Sequence, residues 1–213
     1  MRRKRITQSS STQARANESR SLESWRVFCA IDLPELARER LGEQVERLRE
    51  SVPQAQVSWN RKQNIHLTMK FLGELPVTRV DKLSVAAART AERFSPFEID
   101  LEGPGVFPKH GPPRVLWIGV RDSSGKLAAL GSRLEDECAK EGFVKEEKPF
   151  HPHLTLARLR QRAGAQALAT KHKAMHFEPL EVVVHELVVI RSELSKEGSK
   201  YTVISRHPLT SKT

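Results

Sequence analysis

The chain has 213 residues, of which 38% are hydrophobic and 29% are charged. This composition is typical of a globular protein with a real core, and it excludes a fibrous or wholly disordered chain. No apolar run approaches the roughly 20 residues that a membrane-spanning helix needs. The two cysteines, Cys29 and Cys138, show neither a disulfide framework nor a zinc-ligand spacing. We therefore predict a reducing, cytoplasmic compartment and no membrane association.

The formal net charge of +10 is unevenly distributed. Residues 1–20 carry six basic residues and one acidic residue, a net charge of +5, so the other 193 residues also carry +5. Residues 1–22 are rich in Arg and Ser and poor in large apolar residues, which predicts a disordered basic tail. The tail lacks the apolar segment of a secretory signal; an organellar leader and contact with nucleic acid stay open as its role. The excess of basic over acidic residues favours polyanionic partners.

The first half of the chain alternates β-favouring runs with helical patterns. In chain order we predict a strand, a helix, a strand, a helix and a strand, at residues 26–31, 34–50, 65–72, 77–94 and 97–102. Leu36, Leu41, Val45 and Leu48 give the first helix its apolar spacing. Gly73 is predicted to end the second strand, and the sequence GPGVFP after residue 102 is predicted to form a turn.

The second half repeats this order. A strand, a helix, a strand and a helix are predicted at 114–120, 125–141, 153–158 and 163–174, and strands follow near 181–191 and 200–206. Arg26 lies 40 residues before His66, and Arg114 lies 39 residues before His153, which indicates an internal duplication. We predict an α+β fold over 23–210 with two pseudo-symmetric lobes. Each lobe is a small, mainly antiparallel sheet backed by helices, and a cleft lies between them.

The repeat carries one chemical motif twice, as His66-Leu67-Thr68 and His153-Leu154-Thr155. Side chains alternate between the faces of a strand, so His and Thr share one face and the following apolar residues point into the core. If the lobes face each other, two imidazoles and two hydroxyls converge. A single H-x-T carries almost no information, but two copies at the same offset within a repeat indicate a functional pair.

This constellation suits phosphodiester chemistry without a metal. Histidine titrates near neutral pH, so one ring can take a proton from water while the other protonates the leaving oxygen. The hydroxyls of Thr68 and Thr155 can donate to the non-bridging oxygens, where negative charge accumulates. His151 and His153 form an H-x-H pair, but Pro152 intervenes and no nearby Asp, Glu or Cys completes a ligand set, so no metal site is predicted.

Three further residues are candidates for contact with substrate. Strict alternation points Arg158 away from His153, so it would have to reach phosphate from the strand end. Lys70 falls on the His66 face by the same rule and supplies positive charge. Trp117 is a candidate for stacking on a base. Surface solvation is the alternative for Arg158 and Lys70, and core packing is the alternative for Trp117.

The two motifs, the opening FCAIDLP and the phrases HLTMKFLGE and PHLTLAR resemble the 2H phosphoesterases over about residues 25–207. The resemblance is strongest to the bacterial RNA 2′,3′-cyclic phosphodiesterases, also called the 2′-5′ RNA ligase family. It implies hydrolysis of RNA 2′,3′-cyclic phosphate ends to a 2′-phosphomonoester, without a cofactor. It also implies that His66 is the proton donor and His153 the proton acceptor, and it matches Arg158 to a recurrent arginine. Sequence spacing alone does not assign the two roles.

Two other kinds of function stay open from the sequence. The same histidines could join RNA ends by a 2′-5′ linkage or act on a small cyclic nucleotide. Alternatively, the cleft could bind RNA without turnover, although a binding module has no need for two titratable groups at matched positions. The chain has no phosphate-cradling Gly-rich loop, which argues against ATP-dependent ligation. We expect a monomer that acts on RNA ends.

Overall fold

The computed structural model describes residues 23–195 and 198–210, so the predicted basic tail at 1–22 lies outside the described residues. Nine strands are formed within this described part of the chain: β1 Ser24–Ile31, β2 Val57–Trp59, β3 Leu67–Pro76, β4 Phe97–Phe107, β5 Val115–Arg121, β6 His153–Leu159, β7 Leu180–Val184, β8 Glu186–Ser195 and β9 Gly198–Pro208. The α-helices of the same residues are α1 Glu35–Ser51, α2 Val80–Ala91, α3 Lys126–Lys140 and α4 Ala165–Ala174.

The strands form one curled antiparallel sheet in the order β7-β4-β5-β6-β3-β1-β8-β9, with β2 paired to β6. Its two halves follow the same plan, because β3, β1, β8 and β9 succeed one another on one side as β6, β5, β4 and β7 do on the other. The halves meet where Leu67 of β3 pairs with Leu154 of β6. The predicted α+β fold with two pseudo-symmetric lobes is confirmed, and the lobes share one continuous sheet.

The helices cross between the lobes. Helix α1 follows β1 in sequence but packs against β6 and α4, in the other lobe. Helix α3 follows β5 but packs against β3 and α2. Each half of the sheet is therefore covered by one helix of its own repeat and one helix of the other. This exchange joins the lobes through one large hydrophobic cluster that contains buried residues of both.

The helical spacing predicted for α1 is largely confirmed. Leu41, Val45 and Leu48 are buried, but Leu36 is 58% exposed and Ala37 takes its place in the core. Within residues 23–195 and 198–210, every helix is too short or too polar to span a lipid bilayer.

Two predicted strand ends are wrong. Strand β3 continues through Gly73 to Pro76, and β4 continues through the GPGVF segment to Phe107. At both places a glycine has a positive φ, +70° at Gly73 and +68° at Gly103, and the ladder shifts its register beside it. A glycine in this conformation produces a bulge, after which pairing resumes.

Gly105 allows the close approach of Trp117 across the β4–β5 ladder. A Cβ atom at Gly105 would lie 2.1 Å from the indole ring, whereas one at Gly131 in α3 would meet nothing closer than 3.6 Å. We expect Gly105→Ala to lower the free energy of unfolding by about 1–3 kcal/mol through overpacking, and to change the near-ultraviolet circular dichroism of the tryptophans.

Gly131→Ala is the matched control. It removes a glycine from a helix interior without a clash, so it should raise stability by up to about 1 kcal/mol. Urea denaturation of both variants tests the packing. Equal changes in the free energy of unfolding of both variants would show that the packing of the Trp117 ring does not require a glycine at position 105.

Candidate active site

The pairing of Leu67 with Leu154 sets the geometry of the two motifs. In an antiparallel ladder the neighbours of paired residues face one another in reverse order, so His66 lies beside Thr155 and Thr68 lies beside His153. Leu67 and Leu154 themselves are fully buried on the helix side. The two His and two Thr side chains therefore leave the sheet from its other face, as the alternation of the motif predicts, and His66, Thr68 and Thr155 line one cavity while His153 lies outside its lining.

His66 is oriented by its hydrogen bonds. Its Nδ1 lies 2.8 Å from the backbone oxygen of Asn64, which can only accept, so Nδ1 carries a proton. Its Nε2 lies 2.9 Å from the Thr68 hydroxyl, which donates to it when the ring is neutral. The ring stacks on Phe28 with 4.6 Å between centroids and makes a T-shaped contact with Tyr201, with 5.3 Å between centroids.

His153 is held in the same way in the other lobe. Its Nδ1 donates to the backbone oxygen of His151 over 2.7 Å, two residues earlier in sequence as in the first motif. The Phe107 ring lies perpendicular to the His153 ring with 5.0 Å between ring centroids, and the Trp117 ring lies with its centroid 6.2 Å from that of His153. In both histidines the backbone fixes the tautomer and leaves Nε2 for proton transfer.

Burial is the main influence on the titration of both rings. It lowers the pKa of His66 from 6.5 to about 4, although the hydrogen bond to Asn64 and the carboxylate of Asp32 act in the opposite direction. The charge of His153 lowers this pKa further, so the two rings lie close enough to interact. Burial also lowers the pKa of His153, and Arg158 contributes to that shift.

A cavity of about 320 Å³ opens in front of His66 and both threonines. Its other polar lining comes from Arg26, Arg158, Arg160 and side chains of β2, β8 and β9, and its apolar lining includes Phe28, Phe71 and Tyr201. No described residue that lines it is Asp or Glu. The cavity thus combines positive charge with aromatic surface, which suits a phosphorylated ligand with a ring system.

A bulge in each motif strand redirects the side chains that follow Thr. The register of β1 on β3 shifts between Ala30–Thr68 and Cys29–Lys70, and that of β5 on β6 shifts between Trp117–Thr155 and Leu116–Ala157. One extra residue in each motif strand reverses the alternation beyond it. Arg158 therefore faces the cavity, where strict alternation pointed it away.

The same bulge makes the predicted placement of Lys70 wrong. Lys70 is 5% exposed and lies on the helix side. Its Nζ donates to the Glu135 carboxylate over 2.6 Å and to the Val144 carbonyl over 2.9 Å. It does not line the His66 cavity, and its charge is compensated by α3.

Trp117 lies on the His153 side, in contact with Phe107 and His151. It is half-buried and does not line the His66 cavity, so contact with substrate stays a prediction for this residue. Among the described residues, no cluster of three or more His, Cys, Asp or Glu side chains is arranged to hold a metal ion.

Several cavity residues escape sequence reasoning. Phe71 could have been found from the repeat, because it stands five residues after His66 as Arg158 stands five residues after His153. Arg26 packs over the Phe71 ring at 4.7 Å and shares the β1 face with Phe28. Strand β2 is too short to show a period, and it contributes Ser58 and the adjoining Asn60. No sequence pattern marks Tyr201.

Known proteins are similar to this chain in sequence and in fold. The family model of the 2′-5′ RNA ligase superfamily matches residues 37–196. An Aquifex aeolicus protein named RNA 2′,3′-cyclic phosphodiesterase is 32% identical over 168 residues, 77% of this chain and 88% of the relative. A solved Thermus thermophilus structure has a TM-score of 0.71 at 29% identity, covering 88% of this chain and 100% of that one. The structure of E. coli LigT in complex with 3′-AMP has a TM-score of 0.66 at 30% identity, covering 88% of this chain and 99% of that one.

The chain therefore belongs to the 2′-5′ RNA ligase superfamily, a family of 2H phosphoesterases, and is a phosphoric diester hydrolase.

Lys70→Met tests the structural position of Lys70. The change keeps the apolar stem and removes the ammonium, which takes the Lys70 donor from the Val144 carbonyl and leaves the Glu135 carboxylate with the Glu146 backbone N–H. We expect the free energy of unfolding to fall by about 2 kcal/mol, with KM for substrate unchanged. Lys82→Met, at an exposed position of α2, is the control and should leave stability within about 0.5 kcal/mol of the starting protein. A raised KM at unchanged stability would instead support substrate contact by Lys70.

Proposed function

We propose that this enzyme hydrolyses 2′,3′-cyclic phosphates at RNA ends to 2′-phosphomonoesters, using His66 and His153 as a metal-independent acid/base pair. The observation that carries the proposal is the matched anchoring of the two imidazoles. Each donates Nδ1–H to a carbonyl two residues earlier and keeps Nε2 for chemistry on the same face of the sheet. The names of the relatives support the same reaction.

In the proposed reaction His153 accepts a proton from water as the water oxygen attacks phosphorus. The bond from phosphorus to the ribose 3′-oxygen breaks, and His66 gives its proton to that oxygen. The products are a 2′-phosphomonoester and a 3′-hydroxyl, and each histidine ends in the protonation state from which the other began. One proton-transfer group of this kind typically contributes about 10²–10⁴ in rate.

The phosphate is proposed to lie between the two motifs. Thr68 and Thr155 flank it and can donate to its non-bridging oxygens, and Arg158 brings a fixed positive charge into the same cavity. When Thr68 turns its hydroxyl from His66 to the phosphate, Nε2 of His66 is released to act as the acid. The aromatic lining of the cavity offers a surface for the terminal base.

The assignment of His66 as donor and His153 as acceptor rests on the family resemblance, because the Nδ1 anchoring that the two rings share does not distinguish their roles. In the unliganded site the low pKa of His66 keeps that ring neutral. The negative charge of a bound phosphate favours imidazolium, so substrate binding is proposed to supply the proton that His66 later donates.

A cytoplasmic monomer remains our expectation. Both cysteines are free and buried, as expected in a reducing compartment. Burial raises the pKa of the Cys29 and Cys138 thiols, which keeps them protonated and unreactive.

Alanine variants of the two histidines test the proposal. On a nucleoside 2′,3′-cyclic phosphate, His66→Ala and His153→Ala should each lower kcat by about 10² or more. The double variant should lose much less than the product of the two losses, because the pair acts as a unit. Thr68→Ala and Thr155→Ala should each lower kcat by a smaller factor than the histidine variants. Turnover should persist in EDTA, and product mapping should find the 2′-monoester.

A substrate with an activated leaving group separates the two roles. Nitrophenolate leaves without a proton, so on bis(4-nitrophenyl) phosphate His66→Ala should recover much of its activity and His153→Ala should not. The reverse pattern would exchange donor and acceptor. A folded histidine variant with near-wild-type turnover of the cyclic phosphate, or full loss in EDTA restored by a divalent ion, would refute the two-histidine mechanism.

The pH profile follows from the lowered pKa values. The free enzyme is active with one ring protonated, and both pKa values lie below 6.5, so kcat/KM should be bell-shaped with its maximum on the acid side of pH 6.5. Bound phosphate raises both pKa values, so the kcat profile should be displaced to higher pH. If the kcat/KM and kcat profiles instead had the same maximum above pH 6.5, burial would not control the pKa values of the two histidines.

A further inference from the structure

A second groove adjoins the catalytic cavity, between α1 and the segment that contains β2. It has a volume of about 470 Å³, and Arg49, Trp59, Asn60, Arg61 and Lys62 are prominent in its lining. Glu46 is its one acidic lining residue. We call it the α1–β2 groove. Nothing in the two-histidine mechanism uses it.

The α1–β2 groove adjoins the cavity at Asn60, which lines both. The Asn60 amide donates to the Thr155 backbone oxygen over 2.7 Å, so the shared wall is attached directly to the second motif. Side chains of β2 alternate, and Ser58 lines the cavity while Trp59 lines the groove. Among the described residues β2 pairs with β6 alone, so a ligand can pass from cavity to groove around the edge of β2.

Basic side chains follow this path. Arg158 and Arg160 line the cavity, and Arg160 donates to the Ser58 hydroxyl over 3.3 Å. Beyond the shared wall, the guanidinium of Arg49 lies 5.8 Å from the centre of the Trp59 ring. Arg49 is 52% exposed and makes one exposed ion pair, with Glu46, which holds it only weakly. An aromatic ring with an exposed guanidinium over it suits a nucleobase followed by a phosphate.

The catalytic cavity is too small to hold more than the end of an RNA chain. About 320 Å³ is at the lower end for a small-ligand site, enough for a terminal nucleotide but not for the chain that precedes it. RNA that carries a cyclic phosphate at its 3′ end must leave the cavity on its 5′ side. The α1–β2 groove begins at the cavity wall and carries a net positive lining.

We propose that the α1–β2 groove binds the nucleotide immediately 5′ of the terminal one, with its base on Trp59 and its phosphate near Arg49 and Arg61. The inference rests on the proposed hydrolysis of RNA 2′,3′-cyclic phosphates. It makes the enzyme selective for oligonucleotide ends over cyclic mononucleotides. The selectivity is electrostatic in part, so it declines with added salt.

The test compares a nucleoside 2′,3′-cyclic phosphate with a short single-stranded RNA that ends in the same nucleotide. In the full-length enzyme, the Arg49→Gln/Arg61→Gln double variant should raise the KM ratio of oligonucleotide to mononucleotide by about tenfold. For the oligonucleotide, log KM plotted against log salt concentration has a slope that reflects the number of phosphate contacts. This slope should fall by about 1 for each phosphate that no longer contacts an arginine. Trp59→Leu should raise the same ratio by removing the stacking surface and leave the salt slope unchanged.

The charge-matched control is Lys82→Gln/Arg93→Gln, at exposed positions in and after α2 in the other lobe. It should leave the ratio and the salt slope at their wild-type values. Equal effects of groove and control variants, or an unchanged ratio in the folded groove variant, would overturn the groove assignment. Failure of the wild-type enzyme to hydrolyse either substrate would instead count against the proposed reaction, so the two failures are distinguishable.

Discussion

The site depends on one contact, the pairing of Leu67 with Leu154 at the centre of the sheet. Each leucine is the middle residue of an H-x-T motif, so this pairing alone brings the two motifs side by side. A shift by one residue would turn one motif toward the helices and separate the imidazoles. The leucines are fully buried beneath the helices, and the free energy of burying them holds the register. Hydrophobic packing on one face thus sets the spacing of polar groups on the other.

The exchange of helices makes this register a property of the whole molecule. Helix α1 packs on the lobe of the second motif and α3 on the lobe of the first. Neither half can move away from the other without exposing apolar surface on an exchanged helix. The two imidazoles are therefore held by a common core rather than by a hinge between independent domains, which favours preorganised proton transfer.

The pseudo-symmetry is broken where chemistry needs a difference. The matched bulges turn the fifth residue after each motif histidine toward the cavity, and that residue is Phe71 in one lobe and Arg158 in the other. One lobe thus offers an aromatic surface and the other a positive charge. The histidines also differ, since His66 stacks on Phe28 and meets Tyr201 edge to face, while His153 contacts Phe107 and Trp117. The two duplicated lobes therefore present different side chains to a substrate that is itself unsymmetrical.

The sequence by itself determined the duplication, the α+β class, the two H-x-T motifs and the shared face of His and Thr, because short-range alternation and spacing depend on local backbone geometry. The tertiary structure decided where alternation breaks. The bulges that bring Arg158 and Phe71 into the cavity, and bury Lys70 against Glu135, arise from pairing with β1 and β5. Pairing between distant strands leaves no local sequence signal, and the same holds for β2, Tyr201 and the α1–β2 groove, whose residues meet only when the chain is folded.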